Sequence, residues 1–224
     1  MPVNTQIYQQ LKDLCTTENV TLVAVSKTKP VEDIQELYDL GHRDFGENYV
    51  QELSEKYQLL PKDIRWHFIG HLQSNKVKVI APFISLIQSV DSEKLLAEID
   101  KQGKKNNRKI DCLLEVFIAK EETKFGLDEK ELKVLINGLV QNNNYSHTIV
   151  KGLMGMASFT DDTILIRGEF HELKELSNDY SAFFSSGQNS ILSMGMSADY
   201  KLAIEEGSNL IRIGSLLFGE RDKI

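Results

Sequence analysis

Short apolar runs and helix-forming stretches alternate along the whole chain, eight strand patterns in 224 residues, with no linker between them. The strand patterns fall at about 22–27, 44–48, 66–69, 86–90, 111–119, 148–154, 191–194 and 210–213. Most are rich in apolar and β-branched residues and bounded by turn chemistry, and the second is short. Helical spacing of apolar residues covers 31–40, 49–60, 74–81, 92–101, 129–141, 170–184 and 198–206. An amphipathic helix over 4–19, with Ile7, Leu11 and Leu14 on one face, precedes them all. Alternating β and α predicts a parallel sheet. Eight repeats around one core predict a single α/β domain over 1–224, a closed (β/α)8 TIM-type barrel with an extra N-terminal helix. An open doubly wound sheet is the competing architecture. It usually carries a glycine-rich dinucleotide turn after its first strand, and Ser26-Lys27-Thr28-Lys29 has no glycine.

Charge narrows the function classes. The net charge is −7, and the densest basic segment, 101–108, reads as a helix end and loop. Phosphodiester binding needs a concentrated basic footprint, so nucleic acid is not expected as a partner. Cys15 and Cys112 show neither metal nor redox spacing, which predicts reduced thiols in a cytoplasmic protein. No apolar run approaches the ~18 residues of a membrane span. Residues 1–14 are polar and helix-patterned, without the apolar region or cleavage site of a signal peptide. The expectation is a cytoplasmic protein with no membrane contact, and a monomer.

Barrels keep their chemistry at the C-terminal ends of the strands. Val23, Val25 and Lys27 share one face of the first strand, so an amine ends a core-facing row. Pro30 then opens a helix with Glu32 and Asp33 in its first turn. Burial disfavours a charged lysine and makes its neutral amine available, as a Schiff-base lysine requires. The alternative is a strand-end lysine whose amine reaches water. Arg212, on the eighth strand, shares a parity with Leu210 and Gly214 and would enter the same cavity from the adjacent strand. Two inward cations need an anion or a polar ligand between them. The loops after strands seven and eight, Ser193-Met194-Gly195-Met196-Ser197 and Gly214-Ser215, carry glycine for close approach and hydroxyls to donate. Ser197 reads as the N-cap of the helix over 198–206. A lysine, an arginine and a phosphate cup on neighbouring strands point to pyridoxal 5′-phosphate (PLP), which offers an aldehyde, a pyridine nitrogen and a phosphate.

The sequence resembles the pyridoxal phosphate homeostasis proteins, single-domain relatives of the alanine racemase N-terminal barrel. The resemblance rests on Val25-Ser26-Lys27-Thr28-Lys29-Pro30, Phe45-Gly46-Glu47-Asn48-Tyr49-Val50-Gln51-Glu52 and Trp66-His67-Phe68-Ile69-Gly70-His71-Leu72-Gln73-Ser74-Asn75-Lys76. Lys124-Phe125-Gly126-Leu127, Gly152-Leu153-Met154-Gly155-Met156, Leu192-Ser193-Met194-Gly195-Met196-Ser197 and Arg212-Ile213-Gly214-Ser215-Leu216-Leu217-Phe218-Gly219 extend it, in order, over nearly the whole chain. It implies a PLP aldimine on Lys27, a pyridine-nitrogen contact from Arg212, phosphate contacts near Ser197, Gly214 and Ser215, and a flanking role for Asn48. The implied function is storage of PLP and its delivery to PLP-requiring apoenzymes, without turnover. The alternative is a PLP-dependent amino-acid racemase. Racemisation needs a base on each face of the reacting carbon. In the alanine racemases the second base is a tyrosine from a further domain, and this chain ends soon after the eighth strand, so that base is not expected here. Tyr49 and His71 are the rim residues available to replace it, neither with an orienting partner evident in sequence. His67 and His71 lie too few to hold a metal without a third ligand and read as core or rim histidines. His42, His147 and His171 read as surface residues, Glu47 as structural, Lys29 and Lys76 as solvent-facing or anion-steering, and Lys124 as a secondary PLP contact.

Overall fold

The computed structural model describes residues 3–119, 125–142, 145–184 and 190–220. Eight strands pair in sequence order and close: β1 (Thr21–Val25), β2 (Asp44–Glu47), β3 (Arg65–Phe68), β4 (Leu86–Val90), β5 (Ile110–Val116), β6 (Thr148–Gly155), β7 (Ile191–Ser193) and β8 (Leu210–Ile213). Every pairing is parallel, and β8 returns to β1 with Val23 opposite Arg212 and Ala24 opposite Ile213. This is the (β/α)8 barrel the alternation predicts.

The helices are α1 (Thr5–Thr17), α2 (Val31–Asp39), α3 (Val50–Leu59), α4 (Val77–Ile80), α5 (Glu93–Lys105), α6 (Glu129–Asn142), α7 (Thr163–Asp179), α8 (Ser181–Phe184), α9 (Tyr200–Glu205) and α10 (Ser215–Phe218). Their starts follow side-chain capping. Asn4 accepts from the Ile7 amide and Ser92 from the Leu95 amide. Asp128 and Glu131 exchange side-chain-to-backbone bonds at the head of α6, a reciprocal capping box. Helix α7 begins seven residues before the apolar pattern over 170–184 places it. Asp162 accepts from the amides of Ile164 and Leu165 and recruits the polar stretch into the helix. The extra helix α1 is tied to the chain's far end, where the Asn4 amide donates to the Leu217 carbonyl at 2.8 Å.

Alternation along each strand splits the apolar residues into two sets. Outward residues such as Ala24, Phe45, Trp66, Ile87, Leu114 and Ile213 join the large core beneath the helices. Inward Val23, Leu86, Leu113, Met154 and Leu210 form a small separate cluster inside the barrel. The remaining interior is polar, with Asp44, His67, Gln88, Glu115, Ser193 and Arg212 on inward positions. His42 is not a surface residue. It lies in the core between the rings of Tyr8 and Phe45, and burial pushes its pKa down to about 4. Both cysteines are buried thiols; burial raises Cys15 to about 11 and raises Cys112 as well, which removes thiolate chemistry at neutral pH.

One glycine sits where the barrel's register shifts. The β5–β6 ladder shifts between Cys112 and Leu113, where Leu113 comes to face Gly152. Gly152 has φ +153°, and a Cβ there would sit 1.9 Å from the Ile191 carbonyl oxygen on β7. Gly138 in α6 and Gly168 in α7 meet nothing within 4 Å. The expected outcome is opposite signs for one chemical change. Gly152→Ala destabilises by at least ~2 kcal/mol, because backbone must move. Gly138→Ala and Gly168→Ala each stabilise by ~0.5–1 kcal/mol through helix propensity. Urea denaturation of the three variants measures all of these.

Candidate functional site

The site is built where β1 ends. The Ser26 amide donates to the Gly46 carbonyl at 3.0 Å, extending the ladder one residue past the strand. The chain then turns through Lys27 and Thr28, with Thr28 at φ 63°. A non-glycine residue in that region costs ~1–3 kcal/mol, so something must hold the turn. Lys56 of α3 does so from beneath. Its ammonium donates to the Ser26 carbonyl, to Glu47 Oε1 and to Glu52 Oε1, each at 2.7 Å. Glu52 Oε1 also accepts from the Thr28 amide at 2.6 Å, and Ser26 Oγ donates to Glu47 Oε1 at 2.7 Å. Glu47 is fully buried; burial raises its pKa and the neighbouring Lys56 charge opposes that. On the other side, Lys29 Nζ donates to the Phe218 carbonyl at 2.8 Å and is not a free surface cation. Lys27 itself is half-buried, on the parity of Val23, whose side chain lies inside the barrel.

Asn48 follows β2, level with Lys27 by the register Ala24–Phe45 and Val25–Gly46. Its Oδ1 is buried and accepts no hydrogen bond among the described residues. The backbone beside it is tightly approached, since a Cβ on Gly70 would lie 2.5 Å from the Asn48 carbonyl oxygen.

Arg212 enters the barrel from β8 and is 4% exposed. Its Nη1 donates to the Ser193 carbonyl at 3.0 Å and to Ser193 Oγ at 2.5 Å, and its Nη2 donates to the Gly155 carbonyl at 3.0 Å. The Nε–H edge has no acceptor among the described residues. Burial lowers the guanidinium to about 10, against the pull of Asp199 and Glu115, so it stays charged at neutral pH.

The two loops read as a phosphate cup are brought together. The Gly214 amide donates to Ser197 Oγ at 3.3 Å. Ser197 is therefore not the N-cap of its helix. Asp199 holds that position, and its carboxylate accepts from the Met196 amide at 2.5 Å. Ser215 begins α10 with an exposed side chain, and Gly214 lies against β1, where an added Cβ would be 3.3 Å from the Val25 carbonyl.

Sequence reasoning misses two acids here. Glu115, inward on β5 and 4% exposed, is pushed up to about 7 by burial and by Asp91, with Arg212 opposing. Asp91 in turn orients His71, whose Nδ1 lies 3.2 Å from Asp91 Oδ2 and whose ring stacks on Phe125 at 4.2 Å. His71 thus has the orienting partner that its sequence neighbours do not reveal. His67 is 5% exposed inside the barrel, so the two histidines do not share a site. Tyr49 is largely exposed at the start of α3. Lys124 lies outside the described residues.

The sequence profile of the alanine racemase N-terminal domain family matches residues 5–222. A pyridoxal phosphate homeostasis protein of Aquifex aeolicus is 42% identical over 201 residues, 89% of this chain and 86% of that protein. One from Schizosaccharomyces pombe is 38% identical, covering 96% of this chain and 90% of its own. The solved structure of PipY from Synechococcus elongatus with PLP bound superposes with TM-score 0.82 at 33% identity, over 94% of this chain and 99% of PipY. Alanine racemase of Streptomyces lavendulae shares the fold, with TM-score 0.73 at 13% identity, over 93% of this chain and 56% of that enzyme.

The clamp beneath Lys27 makes a specific energetic expectation. Removing one partner of a buried ion pair strands the other. Lys56→Met should destabilise the protein by ~3–5 kcal/mol, and Glu47→Gln combined with Lys56→Met by less than Lys56→Met alone. Chemical denaturation of the single and double variants is the measurement.

Proposed function

Because the chain belongs to the pyridoxal phosphate homeostasis protein family, we propose that it binds PLP at the barrel mouth, stores it in the cytoplasm and passes it to PLP-requiring apoenzymes, without turning over amino acids. One observation carries the reading. A charged guanidinium is fixed inside the barrel by backbone and hydroxyl acceptors through Nη1 and Nη2, and its remaining Nε–H edge meets no acceptor among the described residues. That edge suits a neutral ring nitrogen. The buried Asn48 Oδ1 without a donor, and the Ser197 and Gly214 loops drawn together, fit the rest of the same ligand.

Bound PLP supplies an aldehyde that an amine takes up reversibly and a pyridine ring that can act as an electron sink. In this reading Lys27 presents the amine from a turn clamped on both sides. Arg212 donates to the pyridine nitrogen and keeps it unprotonated. Ser197, Ser215 and the Gly214 backbone take the phosphate, and Asn48 flanks the ring. Lys56 and Glu52 only position the turn. A cation beside the ring nitrogen weakens the electron sink, which favours holding over chemistry. The chain acts as a monomer.

The decisive experiment is reduction of the PLP-loaded protein with borohydride, followed by peptide mapping. The label is expected on Lys27, and Lys27→Ala should lose the visible absorbance while keeping native circular dichroism. A label on any other lysine refutes the assignment.

The racemase reading keeps one observation in its favour, the His71–Asp91 pair at the rim, which resembles an oriented base. PLP-loaded protein incubated in deuterated water with single enantiomers of alanine, serine, lysine and glutamate separates the two. The carrier reading expects no exchange of the Cα proton beyond that of free PLP. Rapid exchange with inversion, abolished by His71→Ala, establishes the racemase instead.

A further inference from the structure

Arg212 is one end of a hydrogen-bonded chain that crosses the barrel interior. Ser193 Oγ, which accepts from Arg212 Nη1 at 2.5 Å, donates to Gln88 Oε1 at 2.6 Å. Gln88 Nε2 lies 3.0 Å from His67 Nδ1, and His67 Nε2 lies 3.2 Å from Asp44 Oδ1. Asp44 then pairs with Arg65, which reaches the surface. Gln88 and Ser193 are fully buried, and their bond joins β4 to β7, strands that are not neighbours in the sheet.

The chemistry of the groups gives the chain a direction. A guanidinium only donates, so Ser193 Oγ must accept from it and send its own proton elsewhere. The Gln88 carbonyl receives that proton, which turns the Gln88 amide toward His67. His67 Nδ1 therefore accepts, and the imidazole proton sits on Nε2 facing the Asp44 carboxylate. Turning the Gln88 amide over would place two donors on Ser193 Oγ and leave the hydroxyl proton without this acceptor. Each group thus constrains the orientation of its neighbours, from the Asp44 carboxylate at one end to the guanidinium at the other.

The geometry points to Gln88 as a positioning residue for Arg212. Through Ser193 it sets the rotation of the guanidinium that aims the Nε–H edge at the ring nitrogen of a bound pyridine ligand. His67 and Asp44 fix Gln88 in the orientation this needs. The inference rests on the reading of Arg212 given above. A purely structural Gln88 would fill the barrel with satisfied polar groups and leave ligand discrimination alone.

A matched pair of ligands tells these apart: PLP, and its 1-deaza analogue, in which a ring C–H replaces the nitrogen. Gln88→Leu, Ser193→Ala, Arg212→Gln and the unaltered protein are titrated with both, with circular dichroism recorded on each ligand-free variant. Gln88→Leu is expected to lose about tenfold in affinity for PLP, the value of one well-aimed hydrogen bond to a charged donor. Its affinity for the deaza analogue should stay within about twofold of the unaltered protein. Arg212→Gln should show the same selectivity, at least as strongly. Ser193→Ala, which breaks the chain one link further on, should follow Gln88→Leu and stands in for it if that variant does not fold. Equal losses for both ligands in Gln88→Leu and Ser193→Ala, with Arg212→Gln still selective, overturn the positioning role while leaving the Arg212 reading intact. Equal losses in Arg212→Gln as well remove the ring-nitrogen contact itself, and the inference falls with it.

Discussion

A guanidinium buried inside a barrel, with no carboxylate bonded to it among the described residues, is the constraint around which this interior is arranged. Moving such an ion out of water costs several kcal/mol even after relaxation. Arg212 meets that cost with two backbone carbonyls and a hydroxyl rather than with an ion pair. Carbonyls can do this only where the sheet's ladder leaves them available, and both acceptors of this kind, Gly155 and Ser193, stand at the C-terminal ends of β6 and β7. The hydroxyl must then be small enough to share the interior with the guanidinium, and its proton needs an acceptor of its own. Gln88, His67 and Asp44 follow from that requirement in turn. The apolar plug of Val23, Leu86, Leu113, Met154 and Leu210 is small because a polar seam occupies the rest.

The second cation at the mouth is handled differently. Lys27 stands on a turn that is strained at Thr28 and depends on Lys56 from below and Lys29 from the side. Here the holding groups are themselves charged. Lys56 spends its three donors on one carbonyl and two carboxylates, so the strain of the turn and the burial of Glu47 are relieved by the same ammonium. Arg212 is held by neutral, interlocked hydrogen-bond partners while Asp199 and Glu115 pull on its charge; Lys27 is placed by a clamp on the turn that carries it. The loops on the β6 and β7 side are tied separately, Ser158 to Glu169 of α7 and Met196 to Asp199.

The barrel was legible because strand parity and strand count are local signals. Strands β4 and β8 fall where the apolar runs place them, and the shared inward parity of Val23, Leu210 and Arg212 is visible two residues at a time. Capping is where local reading slips. Thr160 to Thr163 looks like loop because its residues are polar, yet Asp162 starts α7 there. Ser197 looks like a cap, yet Asp199 holds the N-cap position and Ser197 is drawn across to Gly214. The longer-range features leave no local trace. Lys56 and Glu52 are spaced like an ordinary solvent-exposed helix pair, and only the tertiary fold buries that pair against Glu47. Asp44, His67, Gln88, Ser193 and Arg212 lie on five different strands. A polar residue on an inward parity was the signal available for each, and nothing in sequence joins them. His42 misleads for the opposite reason, since a residue after a helix end normally faces water and here packs between two aromatic rings.

The charge distribution decides how such a site could hold an anionic ligand. The chain carries −7 overall, so at long range it repels a phosphorylated molecule. In physiological salt that repulsion fades beyond roughly 8 Å, and contact chemistry takes over. The charges of the barrel interior are mixed. Arg212 is positive, while burial and the neighbouring Asp91 push Glu115 up to about 7. The site therefore neither draws its ligand in from afar nor surrounds it with opposing charge. On the function proposed above, its grip comes from a few oriented donors and one amine, all short-range. An arrangement of that kind binds without steering and opposes release only as strongly as those local bonds, which is the balance a protein needs if it must give up what it holds.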